Sequence, residues 1–250
     1  MMNQIFLRIL QYNIRKLLKI QKSFLINREV RKFDIIVIQK QDCNINVLQM
    51  FSSTHNFFHL VRDSSFQARI CIYVNKHLKL DQWIMKIIES NICLIKLQTS
   101  NLKDELQMLW LINVYNSCSL SIIFTEESFT ISRLNELIKD DCKQLIVEDF
   151  NLHHSHWEDR RCFTHHTVTD ALLNIIMNTR LKLLLELDTI TRKTYNQLTT
   201  INLVFDSEKI QFIIYKCKMR TDLHQKFDHL SIVTKLCLRT SFMQLTTRRL

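Results

Sequence analysis

An α/β fold is predicted by three features of this chain: frequent short runs of β-favouring residues, fewer segments with helical spacing, and a mixed order of the two. The β-favouring runs are Ile5–Tyr12, Ile35–Ile38, Ala68–Val74, Ile92–Leu97, Leu109–Tyr115, Gln144–Val147, Ile201–Phe205, Ile210–Tyr215 and Leu230–Leu236. Most are apolar on both faces, which predicts a large and mostly buried sheet system. Between them, Lys16–Lys32, Phe129–Asp140 and Thr167–Leu185 repeat apolar residues at helical spacing, with Thr130, Thr167 and Thr169 near the starts as candidate caps. Two packed sheets flanked by helices is the expected arrangement.

The composition is globular, with 46% hydrophobic and 23% charged residues over 250 positions, and no Ser-rich linker divides the chain. A single domain over residues 1–250 is the expectation. A net charge of +10 points to a polyanionic partner, although the basic residues are spread along the chain as on an ordinary solvated surface. Eight cysteines lie far apart with no Cys-x-x-Cys pair, which argues against a disulfide framework or a cysteine metal cluster. Cys71, inside an apolar run, reads as a small buried hydrophobe. With neither a signal segment nor 18 consecutive apolar residues, the chain is expected to be intracellular, with no membrane partner.

The chain contains no glycine and no proline, where average usage of roughly 7% and 5% would give roughly 18 and 12. Alanine is confined to Ala68 and Ala171. These three residue types share codons that begin with two G or C bases, so the depletion reads as a GC-to-AT mutational sweep and not as a structural requirement. Its structural cost is local: a turn that needs positive φ must use a residue with a side chain, at about 1 kcal/mol or more per site.

Four segments carry polar residues at the ends of apolar runs: Leu7-Arg-Ile-Leu-Gln-Tyr-Asn13, Ile112-Asn-Val-Tyr-Asn116, Val147-Glu-Asp-Phe-Asn-Leu-His-His154 and Phe227-Asp-His-Leu-Ser-Ile-Val233. Carboxylates, amides and a histidine at exposed strand ends are the groups that phosphate-ester hydrolysis needs. They align a water, take its proton and neutralise the phosphate oxygens.

In wording, order and spacing these segments resemble the endonuclease/exonuclease/phosphatase superfamily, the DNase-I-like fold, and within it the endonuclease domain of non-LTR retrotransposons. The resemblance runs from about residue 7 to about residue 238. It implies a four-layer α/β sandwich, DNA as partner, no organic cofactor, and a hard-oxygen site for Mg²⁺ or Mn²⁺. For a chain acting on DNA, a nuclear location is the expectation wherever the chain is expressed.

By the same resemblance Asp149 would orient or deprotonate the attacking water, and Asn151, two residues on in an extended segment, would hold the water or a phosphate oxygen. His229 would neutralise the scissile phosphate or act as acid/base. Asp228 would sit at the metal, Asn13 would complete the metal and phosphate shell, and Tyr115 would donate to a phosphate oxygen. His153, His154 and Trp157 would line a DNA-facing rim.

Departures from the family pattern are informative. Glu148 stands where the family usually has glycine, Ser155 and Ser231 where it has proline, and Phe227 where it has serine. Lys40 replaces a metal-binding glutamate after the second strand, which would weaken metal binding severely, and Asn202 replaces the aspartate that orients the catalytic histidine. Each is a single G-to-A or C-to-T change. Two other readings stay open: a non-catalytic nucleic-acid-binding remnant, and a zinc module built from His153, His154, His156, Cys162, His165 and His166, whose spacing matches no standard finger.

Overall fold

The structure is a computed structural model that describes residues 5–15, 17–40, 56–62, 69–100, 106–116, 126–139, 142–158, 167–208, 214–223 and 228–238. Fourteen strands and three α-helices are assigned among them. In chain order they are β1 (Ile5–Asn13), α1 (Leu18–Ile26), β2 (Ile35–Gln39), β3 (Phe58–Val61), β4 (Ile70–Asn75), β5 (Trp83–Glu89), β6 (Ile92–Ser100), β7 (Leu106–Tyr115), α2 (Glu126–Leu137), β8 (Lys143–Asp149) and α3 (Thr167–Asn178). They are followed by β9 (Lys182–Leu183), β10 (Arg192–Lys193), β11 (Leu198–Thr199), β12 (Asn202–Asp206), β13 (Ile214–Arg220) and β14 (Ser231–Leu238).

Two six-stranded sheets form, ordered β13-β14-β1-β2-β4-β3 and β5-β6-β7-β8-β12-β9, with β10 and β11 as a separate hairpin. Both sheets are mixed: β1 and β2 are parallel in the first and β7 and β8 in the second, and the other pairs are antiparallel. The sheets pack face to face through a core that includes Leu7, Ile9, Val37 and Ile72 from one and Ile95, Leu111, Val147 and Val204 from the other. The outer face of the first sheet buries Leu10, Ile36 and Tyr73 against Ile20, Phe24 and Leu25 of α1. The outer face of the second buries Ile112, Ile146 and Leu203 against Ile131 and Leu134 of α2 and Leu172 and Ile175 of α3. These layers make the four-layer α/β sandwich. No helix among the described residues is long and apolar enough to cross a membrane.

The nine predicted strands are present with shifted ends; of that at 210–215, residues 210–213 lie outside the described residues and the described strand, Ile214–Arg220, runs on past Tyr215. Strands β3 and β5 and the two-residue strands β9, β10 and β11 are additions; β5 is an edge strand with Ile84, Met85 and Lys86 exposed, a pattern without regular alternation. The helix expected over Lys16–Lys32 is shorter. It stops at Ile26 because Asn27 is extended and its Oδ1 accepts the Glu29 N–H at 2.9 Å, an Asx-turn that competes with the helical bond; a 3₁₀ turn, Val30–Lys32, follows. The helix expected over Thr167–Leu185 stops at Asn178, and Lys182 and Leu183 instead pair with β12. Thr130 and Thr169 lie inside α2 and α3 and are buried, so neither is the cap expected of it. Of the cysteines, Cys71 and Cys93 are buried in strands, whereas Cys43, Cys118 and Cys162 lie outside the described residues.

The absence of glycine shows in the backbone. Among the described residues, Arg15, Lys40, Asn151, Arg180 and Asp188 have φ between 51° and 63°, the left-handed region where a side chain costs energy. Arg180 follows α3 at the position helices commonly give to glycine. Leu181 N–H there bonds back to Ile176 O at 3.1 Å and its side chain packs into the helix-covered core. A second feature is Glu148, whose neighbours on the outer face are Ile146, Val114 and Leu203; it is fully buried and neither carboxylate oxygen has a hydrogen-bond partner among the described residues. Burial, and secondarily the Asp149 charge, push its carboxyl well above the ordinary range.

Two stability measurements check this account. Arg180→Gly should raise thermal stability by about 1 kcal/mol by relieving the left-handed strain. Glu148→Ala should stabilise by about 1–3 kcal/mol at pH 8, the cost of a buried polar group without partners. Because the folded-state pKa of Glu148 is raised, the unfolded chain ionises first and stability falls as pH climbs above the ordinary carboxylate range. The gain from Glu148→Ala should therefore be smaller at pH 5 than at pH 8, as read by denaturant titration at both.

Candidate functional site

The site forms where the parallel strand pairs of both sheets end. On each inner face the side chains are apolar along most of the strand and turn polar at one end: Gln11 and Asn13 late in β1, Gln39 at the end of β2, Asn113 and Tyr115 late in β7, Asp149 at the end of β8, and Asn202 at the start of the antiparallel β12. Strand register places Asn13 beside Gln39 in one sheet, and Tyr115 and Asn202 on either side of Asp149 in the other. Below this rim the sheets are tied by amides. Gln39 Nε2 donates to Asn113 Oδ1 at 2.9 Å, and Gln11 Nε2 to the Glu148 carbonyl at 2.7 Å.

Asn13 spans the gap, its Nδ2 donating to Asp149 Oδ2 while its Oδ1 accepts the Arg15 N–H at 2.9 Å. Asp149 is fully buried, and its other oxygen has no partner among the described residues. Burial raises its carboxyl to about pH 7, against the lowering effects of Lys40, the Asn13 amide, Arg192 and the Asn151 N–H.

His229 is buried and reaches the rim through the segment 228–230, which pairs with β10: Lys193 N–H donates to Asp228 O at 2.5 Å and Leu230 N–H to Thr191 O at 2.8 Å. Thr191 Oγ1 in turn accepts the Ile201 and Asn202 N–H groups, at 2.9 and 3.0 Å, so one buried threonine joins both segments. His229 Nδ1 lies 3.3 Å from Asn202 Oδ1. Burial lowers its pKa to about 3; Asp228 opposes this while Arg192, Lys40 and Arg15 add to it, so the imidazole is neutral at pH 7.

Asp228 Oδ2 accepts from Arg15 Nη1 at 2.9 Å and Arg192 Nε at 3.1 Å. Burial opposes its ionisation, yet His229 and the guanidiniums of Arg192 and Arg15 outweigh it and hold the carboxyl below its usual range. Lys40, one residue past β2, lies with Nζ 5.4 Å from the Tyr115 ring centre and acts electrostatically on Asp149 and His229. It is therefore a site residue, as its position in the sequence implied.

Asn13, Lys40, Tyr115, Asp149, Asn202, Asp228 and His229 thus converge. Asn151 is a correction: the chain turns at φ 52° instead of staying extended, and Asn151 Nδ2 donates to Asn116 O at 2.8 Å. Its main-chain N–H acts on Asp149, where it favours the ionised carboxylate. Trp157 is a second correction. The turn that brings its N–H to His154 O drives the indole into the core under α2 and α3, where Nε1 donates to Leu152 O at 3.0 Å, so it lines no rim.

His153 is partly exposed, with Nδ1 2.6 Å from Glu158 Oε2, and Glu158 Oε1 accepts the Thr200 N–H. His154 and His156 stack at 4.7 Å. Phe227, Cys162, His165 and His166 lie outside the described residues, and no group of three metal-ligating side chains occurs among those described. Sequence reasoning missed Arg15, Arg192 and Thr191, which sit in no motif; only the pairing of 191–193 with 228–230 brings the last two to the site.

A dication fits this donor set poorly. Hard cations of this size are held by oxygen ligands, usually carboxylates. Here both ends of the Asn13 amide are engaged, Asp228 is shared by two guanidiniums, and the Lys40 ammonium stands where the glutamate ligand was expected.

The fold matches known proteins. No curated protein is significantly similar in sequence to the chain. In structure it is similar to the endonuclease domain of TRAS1, a telomere-specific non-LTR retrotransposon, with a TM-score of 0.69 and 17% identity over 94% of this chain and 100% of that one. It is also similar to a 3′-5′ exonuclease from Neisseria meningitidis, at 0.69 and 14% over 92% and 99% of the two chains. An AP endonuclease from Leishmania major matches at 0.67 and 11% over 93% and 88%. Residues 109–233, half of the chain and including Tyr115, Asp149, Asn202, Asp228 and His229, match the endonuclease-reverse transcriptase family; this chain belongs to that family, with a DNase-I-like fold.

Proposed function

We propose that the chain is a retrotransposon-type DNA endonuclease domain in which metal-dependent phosphodiester hydrolysis is impaired by Lys40 and Asn202. The observation that carries this is the position of Lys40, electrostatically coupled to both Asp149 and His229. In a working nuclease of this kind Mg²⁺ or Mn²⁺ would supply charge neutralisation at the leaving oxygen and phosphate. An ammonium at a carboxylate position turns attraction for a dication into repulsion over a few ångströms.

The remaining groups keep their chemistry in outline. Asp149, with one oxygen held by Asn13 and the other without a hydrogen-bond partner among the described residues, would accept a proton from water. His229 and Tyr115 would face the phosphate. Asn202 weakens this arrangement: an aspartate accepts only from Nδ1–H and so leaves Nε2 as the base, whereas an amide can donate or accept and admits either tautomer. The same exchange in a serine-protease triad costs about 10⁴ in turnover. DNA is the proposed partner and the nucleus the proposed place of action.

Nicking of supercoiled plasmid in Mg²⁺ tests this. The unmodified chain should be silent, the Lys40→Glu, Asn202→Asp double variant should nick, and adding Asp149→Ala to that variant should abolish the nicking. Nicking by the unmodified chain that Asp149→Ala removes would overturn the impairment. Silence of a folded double variant would show that these two positions do not account for it.

A further inference from the structure

We propose that this site is a metal-independent receptor for a nucleic-acid phosphate, in which the Lys40 ammonium supplies the positive charge that a carboxylate-bound dication supplies in the family. The inference rests on the reading of the chain as a disabled DNA endonuclease. A glutamate with its dication carries a net charge of about +1 at this position, and a lysine alone carries the same. The electrostatic complement to a phosphate is thus kept while the Lewis acid is lost.

The surrounding charges support this. Lys40, Arg15 and Arg192 face two carboxylates, Asp149 and Asp228. The two guanidiniums converge on one Asp228 oxygen, each through a single nitrogen of the several that can donate. The Arg15 side chain is 48% exposed and so is open to an incoming ligand. Lys40 is held over the buried Tyr115 ring, which steadies the ammonium at the rim. A phosphate oxygen meeting these three cations needs no dication to offset its charge. Binding then proceeds without bond cleavage, because an ammonium neither lowers the pKa of a bound water nor bridges two oxygens.

The test is fluorescence anisotropy of a labelled short DNA duplex with the full chain, in EDTA and again in Mg²⁺. The unmodified chain should bind equally in both, within about twofold, and Lys40→Met should weaken binding in EDTA about tenfold as a phosphate contact is lost. Lys40→Arg should retain binding, and Lys86→Met, which removes an exposed charge from β5, should change it by less than about twofold. As a second readout, Mn²⁺ titration followed by electron paramagnetic resonance should show no bound ion in the unmodified chain and bound ion in Lys40→Glu.

Binding that requires Mg²⁺, Mn²⁺ bound by the unmodified chain, or equal effects of Lys40→Met and Lys86→Met would each overturn the proposal. If any of these occurs while the Lys40→Glu, Asn202→Asp variant still nicks plasmid, the inference fails and the nuclease reading stands. If no folded variant binds or nicks DNA, both fail together.

Discussion

Face-to-face packing of the two sheets is the constraint on which the site depends. The inner faces are apolar through most of their length, and burying that surface draws the sheets together without fixing how far one slides on the other. Direction comes from the amides at one end, where Gln39 meets Asn113 and Gln11 meets the main chain of Glu148. Asn13 then closes on Asp149 across the gap. Because β1 and β2 run parallel, as do β7 and β8, four strands deliver their last side chains to one rim.

Three of the five left-handed residues, Arg15, Lys40 and Asn151, lie one or two positions beyond the ends of β1, β2 and β8. The chain must turn sharply after delivering a side chain to the rim, and glycine is the residue that does so without strain. Arginine is one G-to-A change from glycine, so left-handed Arg15 and Arg180 are what the GC-to-AT sweep read from composition would leave. Glu148, a carboxyl at a strand position with apolar neighbours, fits the same reading.

Lys40 and Asn202 stand where the resemblance implies carboxylates, so against that pattern the rim, which also holds Arg15 and Arg192, carries two fewer negative charges and one more positive charge. Asp228 stays ionised because it is shared between those arginines, and His229 stays neutral because it is buried among cations. Such a rim favours an anion over a dication on Coulombic grounds alone.

The sequence by itself determined the α/β class, all nine principal strands, and the convergence of Asn13, Lys40, Tyr115, Asp149, Asn202, Asp228 and His229. The class and the strands follow from apolar period, which is local, whereas the convergence follows only from the resemblance of the motifs to a known family. Only the tertiary structure decided where α1 stops, since Asn27 turns the chain with its own side chain, and that Trp157 belongs to the core, since the turn after His154 reverses it inward. It also decided that Arg15, Arg192 and Thr191 join the site. Their roles arise from contacts with residues far away in the chain, which no local pattern of residue types can encode.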